Sequence, residues 1–183
     1  MAKLNRVATL YAKAFLAALK SNELETVIEE LKVFSAMLAD SADLRRVVAS
    51  PMLTEAVRLS VLKDILKKAK ASDATIRVLS VITEKRRLEA LEGITQTLED
   101  MKLTREGVVP IYVASGLAMD AGSRKKLEAK FETVLKKKVK ANYLVEPSLI
   151  AGVQVTANGR SYEGSMAGWL NRLNEEFSGG IHS

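Results

Sequence analysis

The sequence predicts an α+β protein, mostly α: an N-terminal six-helix bundle followed by a small C-terminal α+β domain. Three observations carry this. Apolar residues recur at helical spacing over about the first hundred positions. Composition then shifts at Gly107, where Val108-Val109-Pro110-Ile111-Tyr112-Val113-Ala114 is rich in strand-forming residues. Further on, Asn158-Gly159 is a two-residue hairpin signal, because both residues tolerate positive φ. The shift places the boundary between residues 1–106 and 107–183.

In the first part, Leu4, Val7, Ala8, Tyr11, Phe15 and Leu19 define a helix over residues 5–20, broken at Ser21-Asn22. Asn22 and Glu25 have the spacing of a capping box for a second helix, striped by Leu24, Val27, Ile28, Leu31 and Leu38, with Glu29 and Glu30 on its polar side. Ser41 caps a third helix through Ala49. Ser50-Pro51 stops it, since a residue before proline avoids the helical region. Thr54 caps a fourth, with Val61, Leu62, Ile65, Leu66 and Ala69 facing inward. Lys63, Lys67, Lys68 and Lys70 read as its solvated face. The fifth helix, residues 72–84, is different. Ile76, Val78, Leu79, Val81 and Ile82 wrap around much of its surface, which suits a helix that is central or one that awaits a partner. After Lys85-Arg86-Arg87, a sixth helix carries Leu88, Leu91, Ile94, Leu98 and Met101 and ends near Glu106. Short connections imply antiparallel neighbours in a bundle.

In the second part, Pro110 predicts an edge position or a strand start, because proline cannot donate to a ladder. Asp120 or Ser123 caps a helix carrying Leu127, Phe131, Val134 and Leu135. Lys136-Lys137-Lys138 ends that helix, where cations complement its dipole. Val139, Ala141, Tyr143 and Val145 alternate with polar residues as a half-buried strand. Residues 149–156 read as another strand, with a short return through Tyr162 after the hairpin. Ser165 caps a last helix whose apolar stripe is Met166, Trp169, Leu170, Leu173 and Phe177.

Composition narrows the chemistry. There are no cysteines, which excludes disulfides, thiolate metal sites and cysteine nucleophiles. His182 is the single histidine and cannot anchor a zinc site or a catalytic triad. No Gly-rich phosphate loop is present, and Ser165 in Glu163-Gly164-Ser165 is better explained as a cap than as a nucleophile. No catalytic residue, cofactor site or metal site is therefore expected. The net charge of +6 is spread evenly: 17 basic and 14 acidic residues precede Thr104, and 11 and 8 follow. A small basic nucleic-acid-binding protein is the alternative this charge allows. The aromatic residues, however, sit mostly on apolar stripes rather than among basic residues. No apolar run approaches the ~20 residues that span a bilayer. The start lacks a secretory signal, so the chain reads as soluble and cytoplasmic-side, or as a processed form.

Four stretches together resemble the δ subunit family of F-type ATP synthases, called the oligomycin-sensitivity-conferring protein in mitochondria. Tyr11-Ala12-Lys13-Ala14-Phe15 is similar to the family's first-helix pattern. Ser50-Pro51 followed by Leu62-Lys63-Asp64-Ile65-Leu66 resembles its loop and fourth helix, and Leu79 to Leu91, with Arg87-Leu88 after a run of Glu and Lys, resembles the passage ending its fifth. Most specific is Glu146-Pro147-Ser148-Leu149-Ile150-Ala151-Gly152, similar to Asp-Pro-x-Leu-Ile-Gly-Gly, followed by Glu163-Gly164-Ser165 in place of Asp-Gly-Ser. Glu146, Glu163 and Ala151 are mild departures from the pattern.

The resemblance implies a non-catalytic stator connector that resists rotor torque during proton-driven ATP synthesis. By that implication residues 1–106 bind the α/β catalytic head, chiefly through the N-terminal helix of an α subunit, in a groove between the first and fifth helices. The groove set is Leu4, Val7, Tyr11, Ala14 and Phe15 with Ile76, Leu79 and Ile82, some facing the groove and others filling the core. Residues 107–183 bind the b subunits of the peripheral stalk, with Met166, Trp169, Leu170 and Leu173 contributing. No nucleic acid is involved, and the membrane is reached only through partners. The expected location is peripheral, at the cytoplasmic face of a bacterial inner membrane or the equivalent organelle membrane.

Overall fold

The computed structural model describes residues 2–49, 52–149, 153–157 and 160–164. Its class is α+β and mostly α. The chain divides into two compact units, Met1–Lys102 and Leu103–Ser183.

Six helices build the first unit: α1 (Ala2–Ala18), α2 (Ser21–Asp40), α3 (Ala42–Ala49), α4 (Glu55–Lys68), α5 (Asp73–Glu84) and α6 (Leu91–Arg105), whose last turn crosses into the second unit. A 3-10 turn, Leu88–Ala90, leads into α6. The predicted stripes converge on one core, in which Leu31, Leu62, Leu79, Ile82, Ile94 and Leu98 are wholly buried. Helix α5 packs against both α2 and α4. Helices α2 and α6 run antiparallel, pinned by Lys32–Glu99 at 2.6 Å and Lys102–Glu25 at 3.1 Å. Close approach of α1 to α6 needs Gly93, where an added Cβ would stand 3.3 Å from the Ala8 Cβ.

Two caps match the sequence. The Leu44 N–H donates to Ser41 Oγ at 3.2 Å, and the Val57 N–H to Thr54 Oγ1 at 3.4 Å. The start of α2 differs, because Asn22 lies inside the helix. The Lys20 N–H donates instead to Glu23 Oε2 at 3.0 Å, so the acid at the third helical position satisfies the orphan donor. In α4, Ala69 is exposed at the helix end, and the stripe is completed at its other end by Arg58, only 2% exposed. Residues 50 and 51 lie outside the described residues; α3 ends at Ala49.

Glu30 is not on a polar face as the periodicity implies. It reaches across to the N-cap of α5, accepting the Ser72 N–H at 3.0 Å and the Ser72 hydroxyl at 2.8 Å, while Ser72 Oγ accepts the Thr75 N–H at 3.3 Å. Burial opposes its ionisation, but hydrogen bonds from Thr75 and Ser72 outweigh burial and hold the Glu30 carboxyl below its ordinary value.

The second unit is a four-stranded sheet in the order β2-β1-β3-β4, with β1 (Val109–Ser115), β2 (Val139–Val145), β3 (Val153–Ala157) and β4 (Arg160–Gly164). Helix α7 (Ala121–Leu135) joins β1 to its parallel neighbour β2, while β3 runs antiparallel to both β1 and β4. Ile111, Val113 and Val155 pack against Leu127 and Phe131 of α7. Asp120, rather than Ser123, is the cap of α7, accepting the Ser123 N–H at 3.0 Å.

Strand β1 is interior, so the edge reading of Pro110 fails and the strand-start reading holds. The Val109 N–H donates toward β2, to Lys138 O at 2.8 Å. By alternation the missing donor of Pro110 falls on the β3 side, and the β3 ladder begins only at Ile111. The strand expected over 149–156 starts later, at Val153, because Pro147–Leu149 forms a 3-10 turn. Asn158 and Gly159 lie outside the described residues, although Ala157 pairs with Arg160 across a two-residue connection. Gly107 closes α6 with φ 78°: its N–H donates to Thr104 O and the Val108 N–H to Leu103 O, a pairing that satisfies two terminal carbonyls.

The Glu30 bridge makes a prediction. Glu30→Gln should lower stability by about 1.5 kcal/mol at neutral pH, the low end of the range for hydrogen bonds to a charged group, because the site is partly exposed. Because the folded carboxyl is held below its ordinary 4.5, the wild-type advantage is full above that value. It should be lost as pH falls through the lower folded value. Urea denaturation of both proteins at neutral and acid pH checks this; a gap that does not narrow in acid contradicts it.

Candidate partner-docking site

The site predicted on α1 and α5 separates into buried and surface residues. On α1, Phe15 is in the core, Val7 and Tyr11 are half-buried against it, and Ala14 is exposed. Tyr11 and Phe15, one helical turn apart, tilt together with ring centroids 5.9 Å apart. This stacking leaves Tyr11 at the surface with its position fixed by a buried neighbour. Leu4 lies in α1.

On α5, Leu79 and Ile82 are both 0% exposed. They cannot touch a partner lying on this surface; they form the floor beneath it. Ile76 is half-buried against the core. Sequence reasoning left Val81 out of the docking set, yet it is 39% exposed, the one large apolar side chain α5 presents to solvent. The signal was its position in the all-round apolar run: with Leu79 and Ile82 facing inward, Val81 points away from the core.

Lys85 follows immediately after α5 as its C-cap. Its ammonium meets Glu84 Oε1 at 2.6 Å. That hydrogen bond and the Glu84 charge hold its pKa above the ordinary value, with smaller help from Glu55 at the start of α4 and Tyr11 on α1. Glu55 and Tyr11 thus lie within electrostatic reach of the end of α5. Leu10 is also exposed on α1, at 67%, one turn before Ala14. This surface offers apolar contact bordered by charge, with no nucleophile and base pair. No group of three or more His, Asp or Glu among the described residues is placed to hold a metal.

For the second unit, Met166, Trp169, Leu170 and Leu173 lie outside the described residues. Leu144 and Val145, at the end of the edge strand β2, are 62% and 50% exposed. Val145 was expected to face inward, but an edge strand has neighbours on one flank only. Beside them, Tyr143 donates to Glu128 Oε1 at 2.9 Å under the Arg124 guanidinium, 4.6 Å from the ring centroid. Burial first, and then this bond and the Glu128 charge, push the phenol well above its ordinary value. Tyr143 is a structural tie between α7 and β2.

A family model described as "ATP synthase delta (OSCP) subunit" matches residues 7–177. The chain belongs to the ATP synthase delta (OSCP) subunit family. An ATP synthase subunit delta of Bdellovibrio bacteriovorus is 28% identical over 177 residues, covering 96% of this chain and 97% of that one. The subunit delta of Chlorobium phaeovibrioides is 32% identical over 167 residues, covering 91% and 92%. In fold, the chain is similar to a chain of the Toxoplasma gondii mitochondrial ATP synthase hexamer, with a TM-score of 0.65 at 21% identity, covering 93% and 97%. As a delta (OSCP) protein it is a non-catalytic stator subunit of a membrane-associated complex. No helix among the described residues is long and apolar enough to cross a membrane. The nucleic-acid alternative finds no support in these relatives.

The split between floor and surface is testable. Leu79→Ala should cost about 2–5 kcal/mol of stability, the range for a buried leucine truncation. Val81→Ala should stay within about 0.5–1 kcal/mol, as partly exposed positions do. Thermal and urea unfolding measure both; equal losses would contradict the burial assignment.

Proposed function

We propose that the corner formed by α1 and α5 seats the N-terminal helix of an α subunit, and that the second unit holds the end of the b-subunit stalk. On this reading the chain keeps the α/β head from turning with the rotor during proton-driven ATP synthesis. The observation that carries it is the set of apolar residues the two helices leave at the surface, an exposed Val81 on α5 and Val7, Tyr11 and Ala14 on α1, while Leu79 and Ile82 are wholly buried. An amphipathic helix binds by laying apolar residues at i, i+3 and i+4 into such a surface. Exposed Ala14 leaves room for its backbone, and Tyr11 is held ready by Phe15. Preorganised aromatic anchors of this kind contribute most to interface energy.

Residues 1–106 are proposed as the head-binding part and residues 107–183 as the stalk-binding part. Within the latter, the stripe Met166, Trp169, Leu170 and Leu173 is the proposed contact with b, supported by its unbroken apolar spacing. The proposed location is the cytoplasmic face of a bacterial inner membrane, or the matching organelle face, with the membrane touched only through partners.

Calorimetric titration of the full chain with a peptide of the α-subunit N-terminal helix tests the head side. Saturable one-to-one heat is expected. Tyr11→Ala and Val81→Lys should each weaken it at least about tenfold, or ~1.4 kcal/mol, without lowering the melting temperature comparably. Wild-type affinity in both variants would move the seat elsewhere. Removing residues 166–183 should abolish b binding and spare the peptide; retained b binding would overturn the stalk assignment.

A further inference from the structure

Among the described residues, α4, α5 and α6 end in one backbone motif and fill its key position differently. At the end of α6 the Gly107 N–H donates to Thr104 O at 3.1 Å and the Val108 N–H to Leu103 O at 2.9 Å. At the end of α4 the Lys70 N–H donates to Lys67 O at 3.0 Å and the Ala71 N–H to Leu66 O at 2.9 Å. At the end of α5 the Arg86 N–H donates to Thr83 O at 3.1 Å and the Arg87 N–H to Ile82 O at 2.9 Å. This pair of bonds needs a left-handed residue just past the cap, and φ is 78° at Gly107, 56° at Lys70 and 53° at Arg86. Glycine suits that position because it has no Cβ to crowd a carbonyl. A Cβ on Gly107 would meet nothing within 4 Å, so glycine serves φ there and not space. Arg86 does the same job without that freedom.

Three cations follow α5 in a row, Lys85-Arg86-Arg87. Lys85 is matched to Glu84 at 2.6 Å and Arg87 to Glu89 at 3.8 Å. Arg86, which is exposed, has no carboxylate within 4.0 Å among the described residues. An exposed arginine is well solvated and needs no partner for its own sake. A cation also complements the carbonyl end of a helix, but Lys85 and Arg87 flank the same turn and already supply that charge. What distinguishes Arg86 is that a residue disfavoured by its backbone occupies a position glycine would fill at lower cost. That position lies just past the last turn of α5, the turn that carries exposed Val81, at the helix end within electrostatic reach of Tyr11.

We propose that Arg86 is the charged specificity residue of the α1–α5 surface, pairing with a side-chain carboxylate of the α-subunit helix that docks there. The inference rests on the docking reading proposed above. Apolar contacts at i, i+3 and i+4 leave a helix free to slip by a turn or to lie in either direction. One cation fixed at the end of α5 sets both register and direction, because like or missing charge opposite it disfavours every other placement.

Calorimetric titration of the full chain with the α-subunit N-terminal helix peptide, at low and high salt, tests this. The variants are Arg86→Gly and Lys70→Gly, the second placed ahead of the Ser72 cap at the other end of α5. Both relieve a left-handed turn, so each should unfold at a temperature no lower than wild type. Arg86→Gly should weaken the peptide about fivefold at low salt, the upper range for a surface ion pair, and the gap should shrink at high salt. Lys70→Gly should bind as wild type does. In a peptide series with each Asp or Glu replaced in turn by its amide, one member should lose about fivefold with wild type and nothing further with Arg86→Gly. Wild-type affinity in Arg86→Gly, equal weakening in Lys70→Gly, a lowered melting temperature for Arg86→Gly, or a series with no coupled carboxylate would each overturn the pairing. A wild-type chain that does not bind the peptide at all would instead overturn the docking reading, and this inference with it.

Discussion

The bundle depends on how α5 is held. A helix with apolar residues over most of its surface needs burial on several sides at once, and its fixed entry point makes that possible. Glu30 supplies the fixing by reaching from α2 to the Ser72 cap, so that the start of α5 is hydrogen-bonded directly to a neighbouring helix. From there Ala74, Thr75, Val78, Leu79, Ile82 and Thr83 face inward against α2 and α4, and only Val81 is left as a large apolar group at the surface. Burial of Leu79 and Ile82 thus does two things. It holds the core together and, on the proposed reading, it makes a floor on which a partner's helix can rest without the bundle having to open. Rigid presentation matters for a part that must carry load, because ordering a loose surface on binding would subtract from affinity.

Much of this architecture was legible in the residues. Helical stripes gave the six helices and their inward residues, since a 3.6 period and a buried face are the same physical fact seen twice. The hairpin pairing of β3 with β4 and the capping by Ser41, Thr54 and Asp120 followed from local chemistry that needs no tertiary information. What failed required knowledge of neighbours. Asn22 has the right chemistry for a cap, but Glu23 reaches the Lys20 N–H first. Pro110 forbids a donor on one side only, and which side is open depends on where the β3 ladder ends. Arg58 falls on the same stripe as Leu62 and Leu66, yet charge argues against burial unless its surroundings are known. The docking residues show the same limit: periodicity finds that α5 is apolar all round, but only packing separates the floor residues from Val81.

The two units serve the connector role by different means. In the helical unit, exposed apolar groups lie on a surface fixed by buried residues beneath. In the sheet unit, the parallel pair β1 and β2 is clasped by α7, with Tyr143 bonded to Glu128 across the helix–strand contact. Among the described residues, both units are braced by buried side chains and cross-element hydrogen bonds.

The most direct test of this account measures coupling rather than binding. Membrane vesicles stripped of this chain and then given it back are assayed for proton-driven ATP synthesis and for ATP hydrolysis by the catalytic head. A stator connector predicts that synthesis is lost on stripping and restored by the wild-type chain, but not by the chain carrying Val81→Lys, while hydrolysis by the released head persists throughout. Synthesis that continues at its full rate without the chain would contradict the account.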